Sequence, residues 1–135
     1  AIKRDTGQTP EVVLAARTDD LLLCDSEFRS IGCALHIATD DGSAGAQGLA
    51  TDVLERVETG PETRLYACGP MPMLAAVAGF ALTRCLDCQV SLEAQMACGL
   101  GACMGCVVPT RDGAYVRVCV DGPVFEAAKL DWPSI

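Results

Sequence analysis

The sequence is poor in aromatic residues, with three Phe, two Tyr and one Trp in 135 residues. A core must then be built from Ala, Val, Leu and Met. Half of the chain is hydrophobic, enough for one ordinary domain or two small ones. Cations are short too: ten Lys and Arg face eighteen Asp and Glu, for a formal charge of −8. This balance argues against a nucleic-acid partner, because phosphate binding needs clustered Lys and Arg. An acidic surface serves solubility, or docking to a basic partner. Long apolar runs are also missing. The stretch "MLAAVAGFAL" (73–82) is far below the ~18 residues of a membrane span and suits a buried helix. The opening "AIKRDTGQTPEVV" has no apolar signal region, so the expected compartment is the reducing cytoplasm.

Cysteine and glycine are plentiful. Nine cysteines is a high and odd count. Without export signals, such cysteines more often bind metal or do redox chemistry than pair as disulfides. Histidine is nearly absent, and His36 in a strand pattern reads as a packed or surface residue rather than a catalyst.

The first two thirds of the chain alternate strand and helix patterns. "EVVLAAR" (11–17), "CALHIAT" (33–39), "LYACG" (65–69) and "CQVSLE" (88–93) read as buried strands. Helices are expected over 19–32, stopped by Gly32, over 49–57, and from "PMPMLAAVAGFALTRC", whose prolines sit harmlessly in the first turn. "DDGSAGAQG" (40–48) reads as a polar loop. Such alternation predicts an α/β fold with a parallel sheet. After about residue 93 the pattern changes. "CVVPT" and "AYVRVCV" flank an "RDG" turn, a hairpin signature, with Cys119 at the end of the returning strand. A domain boundary is expected near 86–93, with an α/β part over 1–88 and a small β-rich part over 89–135. In the tail, Phe125 and Trp132 are expected to cap a core or a partner surface.

Four cysteines stand in a regular relation, Cys98-x4-Cys103-x2-Cys106-x12-Cys119. This is the spacing of plant-type [2Fe–2S] ligation. Thiolates hold iron, and Gly99, Gly101 and Gly105 allow a loop to wrap a compact inorganic core with its N–H groups turned toward sulfur. Other uses remain open on spacing alone. Cys85-x2-Cys88 and Cys103-x2-Cys106, 14 residues apart, nearly fit a zinc ribbon, but that leaves Cys98 and Cys119 unexplained. A disulfide knot and a thioredoxin-like thiol pair fit less well.

"MACGLGACMGCVV" (96–108) with "VCVDGPVF" (118–125) resembles the cluster-binding end of the electron-transfer subunit of bacterial NAD-dependent dihydroorotate dehydrogenase. "ATDDGSAGAQGLATDVL" (38–54), "LYACGPMPMLAAVA" (65–78) and "QVSLEAQMACG" (89–99) resemble the nicotinamide-binding module of that subunit. The resemblance implies a ferredoxin-reductase-like fold and a pathway. Electrons from dihydroorotate, taken up at an FMN in a separate catalytic subunit, pass by a [2Fe–2S] cluster and FAD to NAD+, serving pyrimidine biosynthesis. It implies a heterotetrameric partner assembly. It also places Cys68, Gly69 and Pro70 by the nicotinamide and flavin, with Asp40, Gly42, Ser43, Arg17 and Thr18 at the rest of the nucleotide site. Related flavin and iron–sulfur subunits serve hydrogenases, sulfite reductases and ferredoxin–NADP oxidoreductases. No flavin β-barrel, no Arg-x-Tyr-Ser-like motif and no first nicotinamide-domain strand with its Gly-rich turn are seen. "AIKRD" reads as the tail of a first helix. The expectation is the C-terminal portion of a longer subunit, whose FAD-binding domain lies outside this sequence.

Overall fold

The structure is a computed structural model that describes residue 7 and residues 9–135. The helix tail expected at "AIKRD" lies outside the described residues. The chain divides into two compact units, residues 1–58 and 59–135. This differs from the boundary expected near 86–93. The physical reason is one strand pairing across that point, described below.

In the first unit, β1 (Glu11–Ala16) pairs in parallel with β2 (Ala34–Thr39), from Glu11 opposite Ala34 to Ala16 opposite Thr39. The helix expected over 19–32 is broken. Asp19–Leu21 forms a single 3-10 turn, Leu22 is extended, and Cys24 is left-handed at φ 63°, so α1 covers only Asp25–Ser30. Three consecutive leucines cannot share one helical face. Leu21 and Leu23 are in fact exposed. Gly32, at φ 73°, does end the helix, as a C-terminal glycine should.

The loop expected over 40–48 contains a further short strand, β3 (Ala46–Gln47), parallel to the end of β2. The chain curls around Thr39, which is fully buried. Its hydroxyl donates to the Ala44 carbonyl at 2.8 Å and accepts from the Ala44 N–H at 3.0 Å. α2 (Ala50–Leu54) follows, shorter than expected, with Asp52 accepting the Leu49 N–H at its start. It buries Val53 and Leu54 and packs on β1 and β2.

In the second unit, β4 (Arg64–Cys68) pairs in parallel with β5 (Asp87–Ser91). Between them runs α3 (Met71–Thr83), with Pro72 in its first turn. Its buried residues Leu74, Val77, Ala78 and Ala81 recur at helical spacing and face the sheet, with Phe80 beside them. After β5 comes the Cys-rich loop, then the hairpin β6 (Val107–Pro109) and β7 (Tyr115–Arg117). Its turn is held by Asp112, which accepts from the Thr110 hydroxyl and the Ala114 N–H, while Gly113 takes φ 83°.

The chain then makes one helical turn, α4 (Val118–Asp121), before β8 (Val124–Glu126). β8 pairs antiparallel with β5, from Gln89 opposite Glu126 to Ser91 opposite Val124. That pairing returns the end of the Cys-rich segment to the α/β sheet, and no compact unit ends at residue 88. Leu92, Val118, Ala127 and Leu130, all nearly inaccessible, belong to this unit's core. The Trp132 indole N–H donates to the Ala127 carbonyl, and its ring lines a shallow cleft with Met71, Pro72 and Ala75. Among the described residues no helix is long and apolar enough to cross a membrane.

Candidate metal centre

The Cys-rich loop is a series of left-handed turns. Gly99, Gly101 and Met104 take φ 66°, 80° and 59°. Only Gly101 combines this with crowding: a Cβ there would meet Val120 Cγ2 at 2.8 Å and the Arg117 guanidinium at 3.2 Å. The turns aim backbone donors at sulfur. Leu100 and Cys103 N–H groups point to Cys98 Sγ, and Gly105 N–H points to Cys103 Sγ, each at 3.4 Å. Cys106 is buried, and the Val118 N–H donates to its carbonyl at 3.0 Å.

Cys119 lies in α4, not at the end of the returning strand. In that turn the Asp121 carboxylate accepts the Arg117 N–H at 2.8 Å. The placement nevertheless brings Cys119 to Cys106.

The sulfurs are arranged as two interacting pairs, Cys98 with Cys103 and Cys106 with Cys119. The Leu100 N–H first, then Cys103, draw the Cys98 thiol down to about 6. The N–H and thiol of Cys119 lower Cys106, and Cys119 is pushed up by the same contact. Donors aimed at sulfur favour thiolate, the form that binds metal. Among the described residues no three Cys, His, Asp or Glu side chains converge tightly enough to hold a single ion. A [2Fe–2S] cluster makes a different demand, with two protein ligands on each of two irons. Two thiol pairs, the first within a loop whose N–H groups turn toward sulfur and the second brought together by the hairpin, fit that group.

The zinc ribbon is not assembled. Cys85 is exposed at φ 54° after α3, and Cys88 is buried within β5, its thiol pushed up by burial. Arg117 and Asp121 are contacts that spacing did not mark out. The Arg117 guanidinium donates to the Gly101 carbonyl and pairs with Asp121, which keeps it firmly charged, with smaller contributions from Cys119 and Cys106. An Arg two residues before a Cys is an ordinary strand residue in sequence, and only the fold turns it toward the loop.

The other expected residues fall into two groups. In the first unit Arg17, Thr18, Asp40, Gly42 and Ser43 meet at the carboxyl ends of β1 and β2, where open α/β sheets bind ligands. Asp40 and Asp41 N–H groups donate to the Ala16 and Arg17 carbonyls, and the Ser43 hydroxyl accepts the Asp19 N–H at 2.8 Å. Asp41 was missed. Its carboxylate takes the N–H and hydroxyl of Ser43, which lower its carboxyl below the usual range. The Asp-Gly-Ser run carries the turn signal that could have found it. In the second unit Cys68, exposed, ends β4; Gly69 lies against the Met73 methyl, which a Cβ would meet at 2.6 Å, and Pro70 caps α3. His36 pairs with Glu11 across β1 and β2 at 2.9 Å, a surface contact as expected.

Residues 93–131 match the model of the iron–sulfur cluster binding domain of dihydroorotate dehydrogenase B. The chain is 45% identical over 120 residues to the "Dihydroorotate dehydrogenase B (NAD(+)), electron transfer subunit" of Bacillus caldolyticus, covering 87% of this chain and 45% of that protein. It is 37% identical over 131 residues to the subunit of the same name from Caldanaerobacter subterraneus subsp. tengcongensis, covering 95% of this chain and 51% of the relative. The chain thus spans about half the length of the curated relatives it matches. Among solved structures, a chain of an NADH-dependent reduced ferredoxin–NADP oxidoreductase, described for flavin-based electron bifurcation, superposes with TM-score 0.81 at 32% identity. It covers 96% of this chain and 47% of its own. The α/β units with a Cys-rich hairpin attached are accordingly ferredoxin-reductase-like. The chain is similar over most of its length to proteins named as electron transfer subunits of dihydroorotate dehydrogenase B, and its residues 93–131 match the model of that enzyme's iron–sulfur cluster binding domain.

Proposed function

We propose that this chain works as an electron-transfer component of an NAD-dependent dihydroorotate dehydrogenase in the cytoplasm. It contributes residues 1–88 as part of the nucleotide-binding region and 89–135 as the cluster region. The observation that carries the reading is the two-pair arrangement of Cys98, Cys103, Cys106 and Cys119 within the segment matched to an iron–sulfur domain. When bound, a [2Fe–2S] cluster supplies one-electron redox chemistry at these four thiolates. The chain's own residues set its surroundings. N–H groups of Leu100, Cys103 and Gly105 offset negative charge on sulfur, and glycines let the backbone come close.

On the nucleotide side, Asp40, Gly42 and Ser43 are candidates for ribose and diphosphate contacts of NAD, and Arg17 and Thr18 for its adenosine end. Cys68, Gly69 and Pro70 stand at a strand end and a helix start, suited to the nicotinamide side. FAD belongs to the parent subunit, and an FMN-containing catalytic subunit completes a heterotetramer. Conversion of dihydroorotate then falls to that catalytic subunit.

The purified protein is expected to be red-brown, with visible absorption that bleaches on dithionite. Cys119→Ser should abolish that absorption. A colourless protein with one zinc per chain, unaffected by Cys119→Ser, overturns the reading. A second reading is favoured by the structural likeness to a ferredoxin–NADP oxidoreductase: the same electron-transfer role with a different catalytic partner. Co-purification with a flavoprotein that oxidises dihydroorotate decides for the first, and its failure to oxidise dihydroorotate decides for the second.

A further inference from the structure

Among the ion pairs of the described residues, Arg117 with Asp121 is the one built into the cysteine site; the others join Asp25 with Arg29, Glu11 with His36, Arg64 with Asp87 and Glu126 with Lys129. Its geometry is a fork. Arg117 Nε donates to Asp121 Oδ2 at 3.2 Å and Nη2 to Oδ1 at 3.4 Å. That bidentate pairing leaves Nη1 aimed across 16 residues of sequence, and it donates to the Gly101 carbonyl at 3.2 Å. Asp121 is held in turn by the Arg117 backbone N–H. Both side chains are only about a third exposed, at 37% and 36%.

Two further approaches close the same junction. The Val118 N–H holds the Cys106 carbonyl, and Gly101 lies so near Val120 that a side chain would not fit. The loop bearing Cys98, Cys103 and Cys106 is therefore stapled to the short segment bearing Cys119. The guanidinium is the staple that reaches the middle of the loop. A planar five-donor fork suits this bridging role, and an ammonium does not.

We propose that Arg117, oriented by Asp121, is a positioning residue of the four-cysteine site that locks the cysteine loop to the Cys119 segment and sets the local charge at the thiolates. The proposal rests on the reading of these cysteines as cluster ligands. Reduction of the site adds one electron and therefore one negative charge, with no bond made or broken and no proton taken up. The electron comes from an external reductant. A fixed cation favours the reduced form, and a fixed anion opposes it. Because Arg117 and Asp121 form a balanced pair, removing either member unbalances the field in opposite directions.

The test is a mediated dithionite titration of the holoprotein, followed by the electron paramagnetic resonance signal of the reduced cluster. Arg117→Gln leaves Asp121 uncompensated, and the reduced-to-oxidised ratio at fixed poise should fall about tenfold, a shift of about 59 mV for a one-electron couple. Asp121→Asn should raise it by a similar factor. Arg117→Lys keeps the charge and loses the fork, so its potential should stay near the unsubstituted value while the cluster is lost to a chelator several-fold faster. Should Arg117→Gln assemble no cluster, Asp121→Asn carries the test. Shifts of the same sign in the Gln and Asn variants, or potentials and chelator rates unchanged in all three, overturn the proposal and leave the cluster reading intact. An unsubstituted protein with no such signal overturns the cluster reading and the proposal together.

Discussion

Cys98 collects two backbone N–H groups on one sulfur, and that local feature has a measurable consequence in metal-free protein. The Leu100 and Cys103 donors favour the thiolate, so the thiol titrates near 6 instead of the ordinary ~8.5 of a free cysteine. A lowered pKa means that thiolate is already the major form at neutral pH. Alkylation of Cys98 by iodoacetamide, mapped by mass spectrometry, should rise as pH passes about 6 and level off by neutrality. Cys88, pushed up by burial, should stay unreacted until the chain unfolds. A Cys98 rate still climbing well above neutrality would mean that the donors do not reach the sulfur. The four-cysteine spacing is a local property of the chain, open to reading without a fold. Arg117 and Asp121 were not legible in this way, since what matters is a contact with Gly101, and no periodicity encodes a contact over 16 residues.

At the scale of elements, β1, β2, β4, β5 and α3 were read within a residue or two, because each carries its own apolar pattern. Segments whose shape depends on one buried contact were misread. The loop over 40–48 conceals β3, and its path is dictated by Thr39 and by Gly45. Gly45 sits at φ 65°, where a Cβ would stand 2.2 Å from the Ile37 carbonyl oxygen. Backbone atoms cannot step aside as the end of a flexible side chain can. Gly45→Ala should therefore destabilise the protein by about 3 kcal/mol, from left-handed strain and overpacking together. Urea unfolding monitored by circular dichroism checks this, and a loss below about 0.5 kcal/mol would show that the turn relaxes freely. The helix expected over 19–32 failed for the opposite reason. Its leucines had the right composition but no common face, and Leu21 and Leu23 are exposed.

At the scale of the whole molecule, the two units meet in sequence at a segment with no regular structure and largely exposed side chains, from Glu58 to Glu62. A single small turn spans its end, with the Thr63 N–H on the Gly60 carbonyl. Proteases act where backbone can be pulled into an extended conformation without breaking a ladder. Limited digestion with a Glu-specific protease should cut first after Glu58 or Glu62. First cleavage at Glu126 would contradict this division, because Glu126 lies in β8, paired with β5.

The sequence by itself determined the α/β class, the order of the main strands and α3, the hairpin and the four-cysteine spacing. Each of these follows from side-chain periodicity, turn chemistry or ligand spacing within a short window. Only the tertiary structure decided that β8 returns to pair with β5 and that the compact units part at Glu58 and Thr59. It alone brought Cys119 to Cys106 from a helical turn and stapled their loops through Arg117. These are long-range contacts, chosen by which backbone groups must be satisfied once the core has closed, and a linear pattern holds no record of that choice.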